Sequence, residues 1–251
     1  MKMLTLHNKV NDGTYDLEDQ YDEAFTKQMR MGFIRRVYGL LSVQFILTCL
    51  VTTIMFTKTI KEYIIYNYTT TVWIVCISSL LSLAIILICR FTNTDYMRQY
   101  PINLVILFTI TFLESLPIGC LCVVLPGKNI LIALIATTVA VIGMTIYALQ
   151  TKYDFTSYTS LLLYGSIGLV VASIIGLFIP YSRLFEILIG SFGAMFYAFV
   201  LLMVTQSIIG EHGNMIYEDD YVGAALMLHL AILDMFIYIL RIVNAVSVND
   251  R

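Results

Sequence analysis

Residues 37–57 read VYGLLSVQFILTCLVTTIMFT, 21 positions without a charge between Arg36 and Lys58. A helix needs about 20 predominantly apolar residues to cross a hydrocarbon core, so this stretch predicts a membrane span. Four similar runs follow: residues 63–89, 129–151, 155–182 and 187–210 hold 27, 23, 28 and 24 residues with no Lys, Arg, Asp or Glu. Two more runs carry one acid each: residues 99–127 are interrupted by Glu114, and 221–240 by Asp234 beside His229. Together they predict seven helices, apolar nearly all round rather than along one stripe. Strands of a membrane barrel would alternate with period two and be about half as long. The fold class is therefore all-α, a polytopic bundle of seven transmembrane helices. The last run either spans the bilayer or is re-entrant.

Composition leads to the same class. Of 251 residues, 59% are hydrophobic and 13% charged, with a mean hydropathy of +0.84, against roughly 45–50% apolar and about 25% charged in soluble domains. A formal net charge of -2 provides no field for a polyanion, so no nucleic-acid partner is expected. Seven spans fill residues 31–243 as one domain. Before them, residues 1–30 carry Asp12, Asp16, Glu18, Asp19, Asp22 and Glu23 with few bulky apolar groups, the composition of a disordered acidic tail. Residues 244–251 form a short C-terminal tail. The polar residues ahead of the first run, and the length of that run, do not fit a cleaved signal peptide.

Orientation is read from Lys and Arg near the helix ends. Lys27, Arg30, Arg35 and Arg36 precede the first span, and only Lys58 and Lys61 follow it, which places the N-terminus in the cytosol. Residues 58–69 are expected to form a loop. The five cysteines, Cys49, Cys76, Cys89, Cys120 and Cys122, fall in or at the edge of spans and read as small packing residues.

Catalytic chemistry is not expected. His7, His212 and His229 are scattered, and no nucleophile–base pair or His-rich metal motif occurs at helical spacing. Two ionisable groups remain inside the spans. An ionised carboxylate in hydrocarbon must face the bundle interior, a water-filled cavity or a partner. Glu114 lies three residues before Pro117, which frees the Leu113 carbonyl and loosens the helix nearby. Asp234 has Arg241 seven residues on, on one helix face and ~10 Å away along the axis, so the two are expected to reach a shared cavity. His229 reads as a packing residue or interhelical hydrogen-bonder. Gly190, Ser191, Gly193, Ala194 and Ala198 form a small-residue surface that lets helices approach closely.

Five stretches resemble a known family. Ile34-Arg35-Arg36-Val37-Tyr38-Gly39-Leu40-Leu41-Ser42-Val43-Gln44 is similar to the entry of the first helix in the transmembrane Bax inhibitor motif family. Tyr147-Ala148-Leu149-Gln150-Thr151-Lys152-Tyr153-Asp154-Phe155-Thr156 resembles the loop between helices four and five of its lifeguard branch. Gly210-Glu211-His212 and Asp219-Asp220-Tyr221-Val222-Gly223-Ala224-Ala225-Leu226 resemble the branch's loop between helices six and seven and the start of helix seven. Phe236-Ile237-Tyr238-Ile239-Leu240 is similar to its ending.

The resemblance implies a membrane protein of the endoplasmic reticulum or Golgi that lowers stored calcium through a leak and protects against apoptosis. It also implies a central last helix and two proton-sharing aspartates, one on each of the last two helices, that gate the leak. Here those aspartates are replaced by Val204, in Val204-Thr205-Gln206, and by Ala231, in His229-Leu230-Ala231-Ile232-Leu233-Asp234. The divergence leaves Glu114 and Asp234 as carboxylates to line an ion path, with Arg241, and with Arg90 matching an arginine that some members place near the gate. Calcium is then the permeant ion, no cofactor is required, and apoptotic regulators or calcium channels are candidate partners. The alternative is a non-conducting membrane scaffold, favoured by the loss of both aspartates.

Overall fold

The computed structural model describes residues 2–91, 98–178, 182–209 and 220–247; the side chains of 2–27, 90–91, 157, 159–160, 163, 174 and 177–178 lie outside the description. Eight α-helices account for almost all of it: α1 (Lys2–Met55), α2 (Lys58–Tyr66), α3 (Tyr68–Phe91), α4 (Ile102–Val124), α5 (Gly127–Gln150), α6 (Thr159–Phe178), α7 (Arg183–Ile209) and α8 (Tyr221–Ser247). A 3-10 turn, Thr156–Tyr158, leads into α6. Among the described residues there is no strand. Among the described residues, six stretches are long and apolar enough to cross a membrane: Gln28–Met55 within α1, Tyr68–Cys89 within α3, and all of α4, α5, α7 and α8. The seventh expected span corresponds to α6, whose described apolar core, Tyr164–Ser173, is shorter.

Two expectations change at the N-terminal end. Residues 58–69 are not a simple loop but contain α2, which buries Ile64. Ile60 and Ile64 are one turn apart with Lys61 and Glu62 beside them, an amphipathic pattern that charge counting alone overlooks. The backbone of α1 also runs helically back to Lys2, across the stretch whose composition suggested disorder. That stretch has no proline and contains Leu17, Glu18, Gln20, Glu23 and Ala24, all of which favour helix except where tertiary context intervenes.

The last helix is the axis of the bundle. It packs most extensively on α7, then on α5 and α1, and more lightly on α4, whereas α3 lies on α4 and α6 on α7. One apolar cluster joins Val37 of α1, Leu201 and Ile208 of α7, and Ala225, Leu228 and Met235 of α8. A second joins Ile118 and Cys122 of α4, Ala133 of α5, and Leu233, Phe236 and Leu240 of α8. The outward faces are equally apolar. Trp73, Ile77 and Leu80 of α3, and Leu131, Ile135, Val139 and Ile142 of α5, are all more than half exposed, and each set follows one helical face. In hydrocarbon such faces carry no penalty, so what holds the helices together is close packing and interhelical hydrogen bonding rather than water exclusion.

The α7–α8 contact shows how close that packing is. A Cβ added to Gly193 would lie 2.3 Å from Cδ1 of Tyr238, and one added to Gly190 would lie 2.6 Å from Cγ1 of Ile242 and 3.1 Å from the Tyr238 carbonyl oxygen. The small residues read from the sequence are thus the surface on which α8 rests.

Candidate functional site

The two intramembrane acids sit near the middle of their helices and are brought toward each other. Glu114 of α4 accepts a hydrogen bond from the Ser82 hydroxyl of α3. Asp234 of α8 lies beside Tyr197 of α7 and close enough to Glu114 for the two charges to interact. Both carboxylates are partly buried. The Tyr197 ring stacks on Tyr238 with centroids 5.7 Å apart, and Tyr238 lies near Ser173 of α6. A polar line therefore crosses the bundle at mid-height, from α3 through α4, α8 and α7 to α6. Each acid has a neutral polar side chain beside it, Ser82 for Glu114 and Tyr197 for Asp234.

Beside this line lies a second polar group, at the junction of α1, α4 and α8. Gln44 Nε2 donates to Thr111 Oγ1 at 3.0 Å, and Ser115 Oγ donates to Thr48 Oγ1 at 3.3 Å. Thr48 Oγ1 lies 3.4 Å from His229 Nε2, and the His229 ring packs 4.9 Å from that of Phe45. His229 is thus the interhelical hydrogen-bonder expected from sequence, fully buried.

The positions matching the family's gating aspartates look different. Val204 and Ala231 belong to one apolar cluster with Leu201, Leu228 and Met235, and Ala231 is 1% exposed. Among the described residues, that cluster holds no carboxylate. Asp234, one turn further along α8, turns instead toward Tyr197 and Glu114. The expectation that Asp234 and Arg241 share a cavity is corrected too. Arg241 pairs through Nε and Nη2 with the Glu186 carboxylate of α7, and the cavity it lines does not include Asp234. Arg90 ends its span on α3, with its side chain outside the described residues. His212 and the acidic residues Glu211, Glu218 and Asp219 also lie outside them. Among the described residues, no group of three His, Cys, Asp or Glu side chains is placed to hold a metal.

Sequence reading missed Ser82, Tyr197, Glu186 and Gln206. Tyr197 had a signal, since it falls inside a span rather than at its edge. Glu186 was hidden because runs were counted between charges. Gln206 clasps the connection from α5 to α6: it accepts from the Phe155 backbone N–H at 3.0 Å and donates to the Tyr153 carbonyl at 2.9 Å. Asp154 tightens the same turn by accepting from the Thr156 backbone N–H at 2.9 Å. At that end of the bundle Arg30 of α1 donates to the carbonyls of Ser207 at 2.6 Å and Ile209 at 3.2 Å, satisfying orphan acceptors in the last turn of α7. These bonds explain why the α5–α6 stretch carries so distinctive a sequence: it closes one end of the bundle.

Comparison with known proteins places this arrangement. A family model described as inhibitor of apoptosis-promoting Bax1 matches residues 30–248. Protein lifeguard 4 of Mus musculus is 29% identical over 220 residues, covering 87% of each chain. Protein LIFEGUARD 4 of Arabidopsis thaliana is 30% identical over 227 residues, 87% of this chain and 86% of that one. Bax inhibitor 1 of Schizosaccharomyces pombe is 25% identical over 225 residues, 90% of this chain and 80% of that one.

Proposed function

The chain belongs to the family of the inhibitor of apoptosis-promoting Bax1, and on that premise we propose that it passes calcium out of an intracellular store and thereby restrains cell death. The observation that carries the calcium step is that Glu114 and Asp234 stand near the middle of α4 and α8, two helices that pack on each other. Where relatives with paired aspartates would set both acids on the last two helices, this chain sets one on α4 and one on α8. The store is the endoplasmic reticulum or Golgi, and the N-terminus faces the cytosol. The task calls for no reaction and no cofactor, only a hydrated divalent ion exchanging water for carboxylate oxygens as it passes.

Expression in cultured cells should lower the calcium released from stores by an ionophore, and Asp234→Asn should return it toward the control level. A second reading is a non-conducting scaffold that acts by binding apoptotic regulators. The apolar packing of Val204 and Ala231 favours it. Unchanged stores together with retained protection from death would establish the scaffold in place of the leak.

The orientation has its own test. A tag ahead of Met1 should be removed by protease added outside sealed microsomes, because Lys27, Arg30, Arg35 and Arg36 hold that end in the cytosol. A protected tag would invert the topology.

A further inference from the structure

The C-terminal half of α8 holds a polar site separate from the acid pair. Arg241 forks onto both oxygens of Glu186, and the two side chains keep 29% and 21% of their surface exposed. They line a cavity of about 310 Å³ with Asn244 and otherwise apolar residues of α4 and α8. Asn244 is itself positioned by the buried Asn129 of α5, whose Nδ2 donates to Asn244 Oδ1 at 3.2 Å. Glu186 stands in the first turn of α7.

We propose that Glu186 is a divalent-cation site at this end of the bundle, and that Arg241 is its built-in competing cation. A calcium ion takes bidentate carboxylate and amide oxygens at about 2.3–2.6 Å, and the cavity offers Glu186, Asn244 and room for water. Arg241 occupies both Glu186 oxygens when no ion is bound. The fork is not needed to hold α7 to α8, because the glycine surface at Gly190 and Gly193 already does so. A partly exposed ion pair also contributes little to stability, so exchanging Arg241 for a metal ion costs the fold little. Displaced Arg241 has the cavity to move into. The ion chosen rests on the calcium reading above, but occupancy of the site can be measured without any flux.

The test uses the full chain purified in detergent, in an Asp234→Asn background that removes the charge at mid-bundle. Calcium binding is followed by titration calorimetry, with magnesium as the second probe. Arg241→Gln should tighten calcium binding on the order of tenfold, because the competitor is gone while the carboxylate remains. Arg241→Lys, which cannot fork onto a carboxylate, should fall between. Glu186→Gln should abolish the binding that Arg241→Gln strengthens. A thermal unfolding scan of each variant confirms that it is folded. Equal calcium affinity in the parent and in a folded Arg241→Gln variant would overturn the proposal, as would full binding in Glu186→Gln. Tightened binding in Arg241→Gln without any vesicle flux would keep this site and remove the leak. Flux with unaltered affinity would do the reverse.

Discussion

Gly193→Ala is expected to destabilise the bundle by about 1–3 kcal/mol, the usual cost of forcing an extra methyl into a packed interface. The new Cβ would meet Cδ1, Cε1 and Cγ of Tyr238 at 2.3 to 2.5 Å. Tyr238 has little freedom to withdraw, since its ring is stacked on Tyr197. The helix that must move is the axis of the fold, so the strain spreads to every helix packed on it. Thermal unfolding in detergent should show a fall of roughly 2–4 °C for each kcal/mol lost. Gly143→Ala and Gly168→Ala are the controls, because nothing lies within 4 Å of a Cβ at either position. If all three variants melt together, α7 and α8 are not packed as closely as the structure has them.

The second large effect is expected at the acids. Asp234→Asn keeps the shape and a carbonyl oxygen and removes the charge, so the protein should accumulate normally while calcium flux falls on the order of tenfold. Glu114→Gln should act in the same direction, with the Ser82 bond retained. Asp234→Leu is different in kind. It sets an apolar side chain beside the Tyr197 hydroxyl in the bundle interior, at a cost of about 1–3 kcal/mol, and abundance should drop as well as flux. Flux and abundance measured on the same membranes separate the two. Normal conduction in Asp234→Asn and Glu114→Gln together would take both acids off the path.

Much of the architecture was legible in the sequence because hydrocarbon imposes a length and a polarity on every crossing segment. The uncharged run at 37–57 and its six counterparts mark helices with few false boundaries for that reason. What periodicity could not give was which helices meet. The same apolar surface faces lipid on Trp73 and core on Leu228, so the axial place of α8 came from the resemblance, not from pattern. The site was half legible. Glu114 and Asp234 stood out as charges where charge is expensive, but their relation did not, because it runs between helices separated by more than a hundred residues. The pairing of Arg241 went to Glu186 rather than toward Asp234 for the same reason: spacing along one helix limits what a side chain can reach, and neighbouring helices decide what it finds.

The account rests most directly on calcium flux through the purified protein. Reconstituted into sealed vesicles loaded with a calcium indicator, the chain should admit calcium down its gradient, and Asp234→Asn should admit on the order of a tenth as much at equal protein content. Parent and variant vesicles that are both no more permeable than protein-free ones would contradict it, and would leave the scaffold as the function of this bundle.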